Sequence, residues 1–242
     1  MRIHFLGTGD AFGSGGRFQT CFHVTGSECT FLVDCGATSM VALRKFEVNP
    51  NQIDTIFISH LHGDHSGGLP YFLLDAHLVS RRVEPLTIVG PPGLSDWLHQ
   101  ARELAFRDST SNLLRFELDV VEIEPGDVYT GKGLRLETFL VKHKCGGPPL
   151  ALRFTDKRKI LSYTGDTEWV DNLTKLAYRA DLLICESYFY EKAIPFHLNY
   201  RTVIEKFGES CAKRILLTHA SRDLLNRELD YELAYDGLIA EI

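Results

Sequence analysis

His60-Leu61-His62-Gly63-Asp64-His65 places three imidazoles and a carboxylate within six residues, directly behind the apolar run Asp54-Thr55-Ile56-Phe57-Ile58-Ser59. That run reads as a buried strand, and Gly67-Gly68-Leu69-Pro70 opens a helical pattern, so the ligand-type residues fall on a strand-to-helix loop. In extended backbone His60 and His62 project to one side, and Asp64 and His65 then turn toward a second position. Imidazole and carboxylate at this density are metal-ligand chemistry, and two cations could share the loop.

The rest of the composition is that of an ordinary globular protein. With 242 residues, 44% hydrophobic and 24% charged, the chain can bury a large core and fits one full-size domain over residues 1–242 or two intimately packed halves. The net charge of −6 argues against a broad polyanion-binding face, so nucleic acid is disfavoured as a partner. The six cysteines (Cys21, Cys29, Cys35, Cys145, Cys185, Cys211) are scattered without CxxC pairing and read as reduced core thiols of a cytoplasmic protein. Met1 to Leu6 enters a strand at once, with no apolar segment of the length a secretion signal or membrane span requires.

Outward from the motif, strands are expected over Ile3–Leu6, Thr20–Val24, Thr30–Val33, Leu86–Val89, Phe116–Ile123, Leu134–Val141, Leu150–Phe154, Ile160–Tyr163, Asp181–Cys185 and Arg214–Thr218. Helical spacing covers Met40–Phe46, Leu69–Ser80, Leu94–Phe106, Glu168–Tyr178 and Asn199–Phe207, and the close, Asp230–Tyr235 with Leu238–Ile242, reads as a hairpin about Asp236-Gly237. Gly7 to Arg17 holds five glycines but neither the Lys-Ser/Thr of a P-loop nor the third glycine of a dinucleotide fingerprint, where Phe12 stands. It is expected to wall a pocket. Asp34 ends a strand and is suited either to receive the second ring nitrogen of a metal-ligand histidine or to cap a helix.

Strand ends also deliver His143, Asp166 and His219, which with the motif makes five imidazoles and two carboxylates. Seven ligands exceed what one open catalytic ion takes and suit two ions, zinc first and manganese or iron otherwise. His60, His62 and His143 are assigned to one, Asp64, His65 and His219 to the other, with Asp166 as the bridging carboxylate. A hydroxide between ions about 3.5–4 Å apart is nucleophilic at neutral pH.

His-x-His-x-Asp-His, the lone His143, Tyr163-Thr164-Gly165-Asp166-Thr167 and Leu217-Thr218-His219 resemble the metallo-β-lactamase superfamily. The resemblance implies an α/β fold, a four-layer αββα sandwich with a dinuclear site at one edge of its sheets. Leu6-Gly7-Thr8-Gly9, Asp64-His65 and His197 are most similar to the ribonuclease Z and cyclic phosphodiesterase branch. There the histidine matching His197 contacts the scissile phosphate, so His197, with Asp64, counts among the expected catalytic residues. Histidine at position 62, where the diiron branch carries glutamate, disfavours redox chemistry.

Transfer-RNA-processing relatives carry a long basic arm between the lone histidine and the Gly-Asp-Thr aspartate. Here only a tight hairpin with the basic turn Lys157-Arg158-Lys159 separates His143 from Asp166. The expected activity is therefore a dinuclear metal-dependent phosphodiesterase acting on a small diester, cyclic ones included. A ribonuclease Z-like endoribonuclease and a thioester or lactam hydrolase are the alternatives, and a homodimer is left open.

Overall fold

Short apolar strands build two sheets in succession. Among the residues that the computed structural model describes, 1–107, 114–208 and 212–242, the first sheet takes β1 (Arg2–Gly7), β2 (Cys21–Thr25), β3 (Thr30–Val33), β4 (Thr55–Phe57), β5 (Leu86–Gly90) and β6 (Leu118–Glu122). The second takes β7 (Val128–Gly131), β8 (Leu134–Leu140), β9 (Leu150–Asp156), β10 (Lys159–Tyr163), β11 (Leu182–Glu186), β12 (Ile215–Thr218) and β13 (Glu232–Leu233). β14 (Ile239–Glu241) returns to the free edge of β1, giving seven strands to each sheet. β3 to β6 run parallel, as do β10 to β13, while the strands nearer each hairpin end are antiparallel.

Helices cover the outer faces. α1 (Ser39–Lys45), α2 (Gly63–Ser66), α3 (Leu69–Leu78) and α4 (Leu94–Ala105) follow strands of the first sheet, and α5 (Asn172–Ala177), α6 (Tyr200–Phe207) and α7 (Arg222–Leu225) those of the second. Strands buried on both faces read as continuous apolar runs, and their alternate residues feed different cores. Phe31 and Val33 join the core between the sheets, whereas Leu32 packs under the helices of the first sheet. Leu182 and Ile184 likewise face the inner core, and Leu183 and Cys185 face the second helical layer. Three apolar cores between four layers make the αββα sandwich the resemblance implies. Phe31 and Phe57 clasp Phe154 across the sheets at 5.0 and 5.1 Å, and truncating such a ring costs about 3–5 kcal/mol.

Several local expectations need correction. The chain end is not a hairpin: β13 pairs parallel with β12, and β14 pairs antiparallel with β1 in the other sheet. The turn between them is held by Asp236, whose carboxylate accepts from the amides of Thr8 and Phe18 at 2.9 and 2.7 Å, so the chain crosses the sandwich there. The helix expected over Glu168–Tyr178 is only Asn172–Ala177. Glu168 instead bridges to Lys142 and accepts from the Phe196 amide, fastening the loop that follows β8. β7 was not anticipated, and Asp64 and His65 sit on a helical turn of their own. Cys21, Cys29, Cys35, Cys145 and Cys185 are free thiols, and Cys211 lies outside the described residues. No helix among the described residues is long and apolar enough to cross a membrane.

One buried group makes the fold pH-sensitive apart from any metal. On β2, both ring nitrogens of His23 lack a hydrogen-bond partner, and burial, reinforced by His4 and Arg2, pulls the ring down to about 4. The unfolded chain takes this proton near pH 6.5 and the folded chain only near the lowered value, so stability is fullest above 6.5 and falls as pH drops toward it. Metal-stripped protein should lose roughly 2 kcal/mol through this group between about pH 7 and 5, read from urea midpoints. His23→Leu should lose correspondingly less, and equal losses in the two proteins would exclude His23 as the source.

Candidate metal centre and active site

The donor residues follow the carboxyl ends of strands that point the same way. His60 follows β4, His143 follows β8, Asp166 follows β10, Glu186 ends β11 and His219 follows β12, while Asp64 and His65 ride on α2. In open α/β sheets such ends are where ligands gather. Backbone bonds join the two sheets at this edge: the Leu150 amide donates to the Ser59 carbonyl at 2.9 Å, and the His219 amide to the Thr8 carbonyl at 3.1 Å.

The seven expected ligands come together. Donor atoms of His60, His62 and His143 lie within 4.8 Å of one another, as do those of Asp64, His65, Asp166 and His219. Asp166 faces both sets: its carboxylate is 3.4 Å from His65 Nε2 and 3.3 Å from His219 Nε2, and 4.0 Å from both His60 Nε2 and His143 Nε2.

Hydrogen bonds behind the rings fix their tautomers. His65 Nδ1 donates to Asp34 Oδ2 at 2.7 Å, and His143 Nδ1 donates to the Phe196 carbonyl at 3.0 Å. Ser59 Oγ gives its proton to Asp34 at 2.8 Å and so accepts from His60 Nδ1 at 3.1 Å. Each of these three rings thereby directs its Nε2 at the cluster. His60 Nε2, His65 Nε2 and Asp166 Oδ1 are buried without a hydrogen-bond partner, and His143 Nε2 stands 3.0 Å from His62 Nδ1. Buried polar atoms are rarely left so. A cation is the partner this donor set lacks, and oxygen and imidazole donors on a strand-held frame fit divalent ions.

The charges are organised accordingly. Burial, with His65 next to it, holds the His60 ring well below the ordinary imidazole range. Burial also opposes charge on His219, but Asp166 and the bond to Asp64 lift it to about 9. Against the same penalty, His219 and His65 keep the Asp166 carboxyl well below the usual range, and His65 does the same for Asp64.

His197 stands beside the cluster, and its Nδ1 lies 3.2 Å from Glu186 Oε2. Burial pushes Glu186 up to about 6, while the Glu186 bond raises His197 despite its own burial. The second oxygen of Glu186 receives the Thr167 amide. Tyr188 lies over His197 with ring centroids 5.3 Å apart. Glu186 and Tyr188 were not foreseen, although Glu186 carries the signal read for Asp34, an acid ending an apolar strand. The glycine-rich loop does wall the site: Ala11 and Phe12 line a cleft of about 340 Å³ together with His62, Asp64, His143, Asp166, His197 and His219. Arg17 turns away from it, its guanidinium bound to the Ala234 carbonyl at 2.5 Å and to Thr8 Oγ1 at 3.2 Å.

Comparison with known proteins agrees with this geometry. The profile of a family described as "Anti-Pycsar protein Apyc1" matches residues 1–234. The chain belongs to that family. The chain also falls within the metallo-β-lactamase superfamily, in its ribonuclease Z-like branch. A "Ribonuclease Z" of Exiguobacterium sibiricum is 33% identical over 144 residues, 60% of this chain but 46% of that protein. Another, of an Exiguobacterium species, is 27% identical over 283 positions covering 96% of this chain and 92% of its own. The crystal structure of human tRNase Z, short form, superposes with a TM-score of 0.82 at 28% identity, covering 100% of this chain and 99% of that one.

Protein loaded with zinc and dialysed should retain close to two ions per chain by elemental analysis, and Asp166→Ala should retain at least one fewer. Asp34→Ala, which frees the His65 ring and Ser59, should weaken metal affinity on the order of 10- to 100-fold in a chelator competition. One ion at most in the fully loaded protein would rule out a dinuclear centre.

Proposed function

We propose that this chain hydrolyses a small phosphodiester, cyclic ones included, with two divalent ions, zinc foremost, held within one 242-residue domain. The chain is a metal-dependent hydrolase of phosphodiester bonds; the finer reading concerns which diester and which residues act. His60, His62 and His143 would hold one ion, Asp64, His65 and His219 the other, and Asp166 would lie between. Bound ions of this kind supply Lewis acidity toward phosphoryl oxygens and an activated water.

The observation that carries the reading is the hydrogen-bonded Glu186–His197 pair at the wall of the ligand cluster, in the same cleft. Because Nδ1 of His197 is committed to Glu186, Nε2 is the atom left for substrate. Glu186 favours the imidazolium, which can pass its proton to the departing ester oxygen as the phosphorus–oxygen bond breaks. Asp34, through Ser59 and His65, keeps the facing rings from turning.

Three observations favour a small diester over RNA. The basic turn Lys157-Arg158-Lys159 joins β9 to β10 at the end opposite Asp166, so it cannot guide a polyanion into the cleft. The 283-position alignment draws on 96% of a 242-residue chain, so about fifty positions lack a counterpart here. The family profile that spans the chain is also described in other terms than those ribonucleases.

On one zinc-loaded preparation, phosphodiester turnover should exceed thioester and lactam turnover. His197→Ala should lower kcat on the order of 10²- to 10⁴-fold with metal content intact, and the loss should shrink for a nitrophenolate leaving group, which needs no proton. Equal losses for good and poor leaving groups would leave His197 only a positioning role. For the small diester, kcat/KM should fall mildly with salt, without the steep log-log slope that many phosphate contacts impose. Site-specific cleavage of precursor transfer RNA that collapses between low and physiological salt would replace this reading with the nuclease.

A further inference from the structure

Phe12 is 83% exposed although it lines the cleft that holds the metal-ligand cluster. A side chain of this size in water forgoes roughly 1.5–3 kcal/mol of burial, and single exposed apolar residues are common enough to need no explanation by themselves. What sets Phe12 apart is how firmly its backbone is placed. Asp10 is fully buried, and its carboxylate accepts from the Phe12 amide at 3.2 Å, the Ser14 amide at 2.8 Å and the Ser14 hydroxyl at 2.7 Å. The Tyr188 hydroxyl faces the same carboxylate, whose charge, after burial, raises its pKa. The carboxylate that holds the loop tip therefore also faces an aromatic residue that itself lines the cleft and covers His197.

The charged side chain and two of the amides of the loop are already committed within the protein. Arg17 is spent on Ala234 and Thr8, and the amides of Gly13 and Gly16 donate to the carbonyls of Asp10 and Gly13. Gly13 and Gly15 hold φ of 65° and 70°, and a Cβ on Gly15 would come within 2.7 Å of Leu225 Cδ1, so the turn behind Phe12 is fixed by its sequence. What the loop presents to the cleft is apolar: Ala11 and an aromatic ring. The floor is the opposite, a set of imidazoles and carboxylates suited to a phosphoryl group. A cleft of about 340 Å³ is in the range that takes a whole small ligand, more than a phosphate alone requires.

We propose that Phe12 is a substrate-recognition residue, a stacking platform for a planar aromatic ring carried on the ester group of the diester, as in a nucleotide. The inference rests on the phosphodiester reading for its substrate, but not for its test. Base-on-aromatic stacking tolerates many rings because every base has a π-face, and it acts on binding rather than on the breaking bond.

The deciding measurement is calorimetric affinity of zinc-loaded protein for adenosine 5′-monophosphate and for inorganic phosphate. Phe12→Ala should weaken the nucleotide on the order of tenfold and leave phosphate unchanged, while Phe12→Trp should retain nucleotide affinity. A loss shared equally by both ligands, or no loss for either, overturns the platform, as does a change confined to the sedimentation mass. In turnover, the 4-nitrophenyl ester of thymidine 5′-phosphate and methyl 4-nitrophenyl phosphate share a leaving group. Phe12→Ala should raise KM about tenfold for the first alone, with kcat kept. If the wild type hydrolyses neither ester, the phosphodiesterase reading falls, and the calorimetric contrast still decides whether Phe12 binds a ring.

Discussion

The site depends on one buried carboxylate that no substrate would touch. Asp34 sits at the end of β3 with φ of 58°, a left-handed conformation that costs a non-glycine residue energy and persists because its surroundings over-determine it. Its two oxygens collect the Ser59 amide, the Ser59 hydroxyl and the His65 ring, all at 2.7–2.8 Å. Ser59 in turn orients His60 and, through its carbonyl, receives the first amide of β9 from the other sheet. Ligand orientation and sheet docking thus pass through the same few bonds. A buried charge is tolerated where every lone pair finds a donor.

Much of this was legible in the sequence because strand ends are local features. Apolar runs ending in His60, His143, Asp166 and His219 announced both the sheet and the side chains it delivers. The direction of the parallel strands then brought those ends to one edge. Asp34 was readable for the same reason, as an acid with no business at the end of an apolar strand unless partnered. Glu186 obeys the same rule, but its partner His197 lies eleven residues along an irregular loop, and spacing through a loop says nothing about contact. Tyr188 and Phe12 gave no signal in isolation, since their importance lies in a shared neighbour, Asp10.

Where local pattern and structure differ, a long-range contact decides. Asp236-Gly237 is turn chemistry whether the chain doubles back or crosses to another sheet, and only the vacant edge of β1 decided for crossing. Glu168 to Tyr178 has helical spacing, yet its first residues were recruited to hold the His143 loop, where a bridge to Lys142 outweighs one more helical turn. In both places a contact made far along the chain overrode a local preference.

The ligand cluster spans a seam. His60, His62, Asp64 and His65 belong to the first sheet and its helices, while His143, Asp166 and His219 come from the second. A cation held across that seam acts as a clasp between two half-proteins, and since an unfolded chain offers no such cage, its binding energy adds to cohesion. At a free concentration a thousand times its dissociation constant, one such ion contributes about 4 kcal/mol, comparable with the whole stability of many domains. Metal supply would then govern how long the molecule survives as well as how fast it turns over. A chain starved of ions would lose that clasp and be left with the inner core around Phe31, Phe57 and Phe154 to hold its two sheets together.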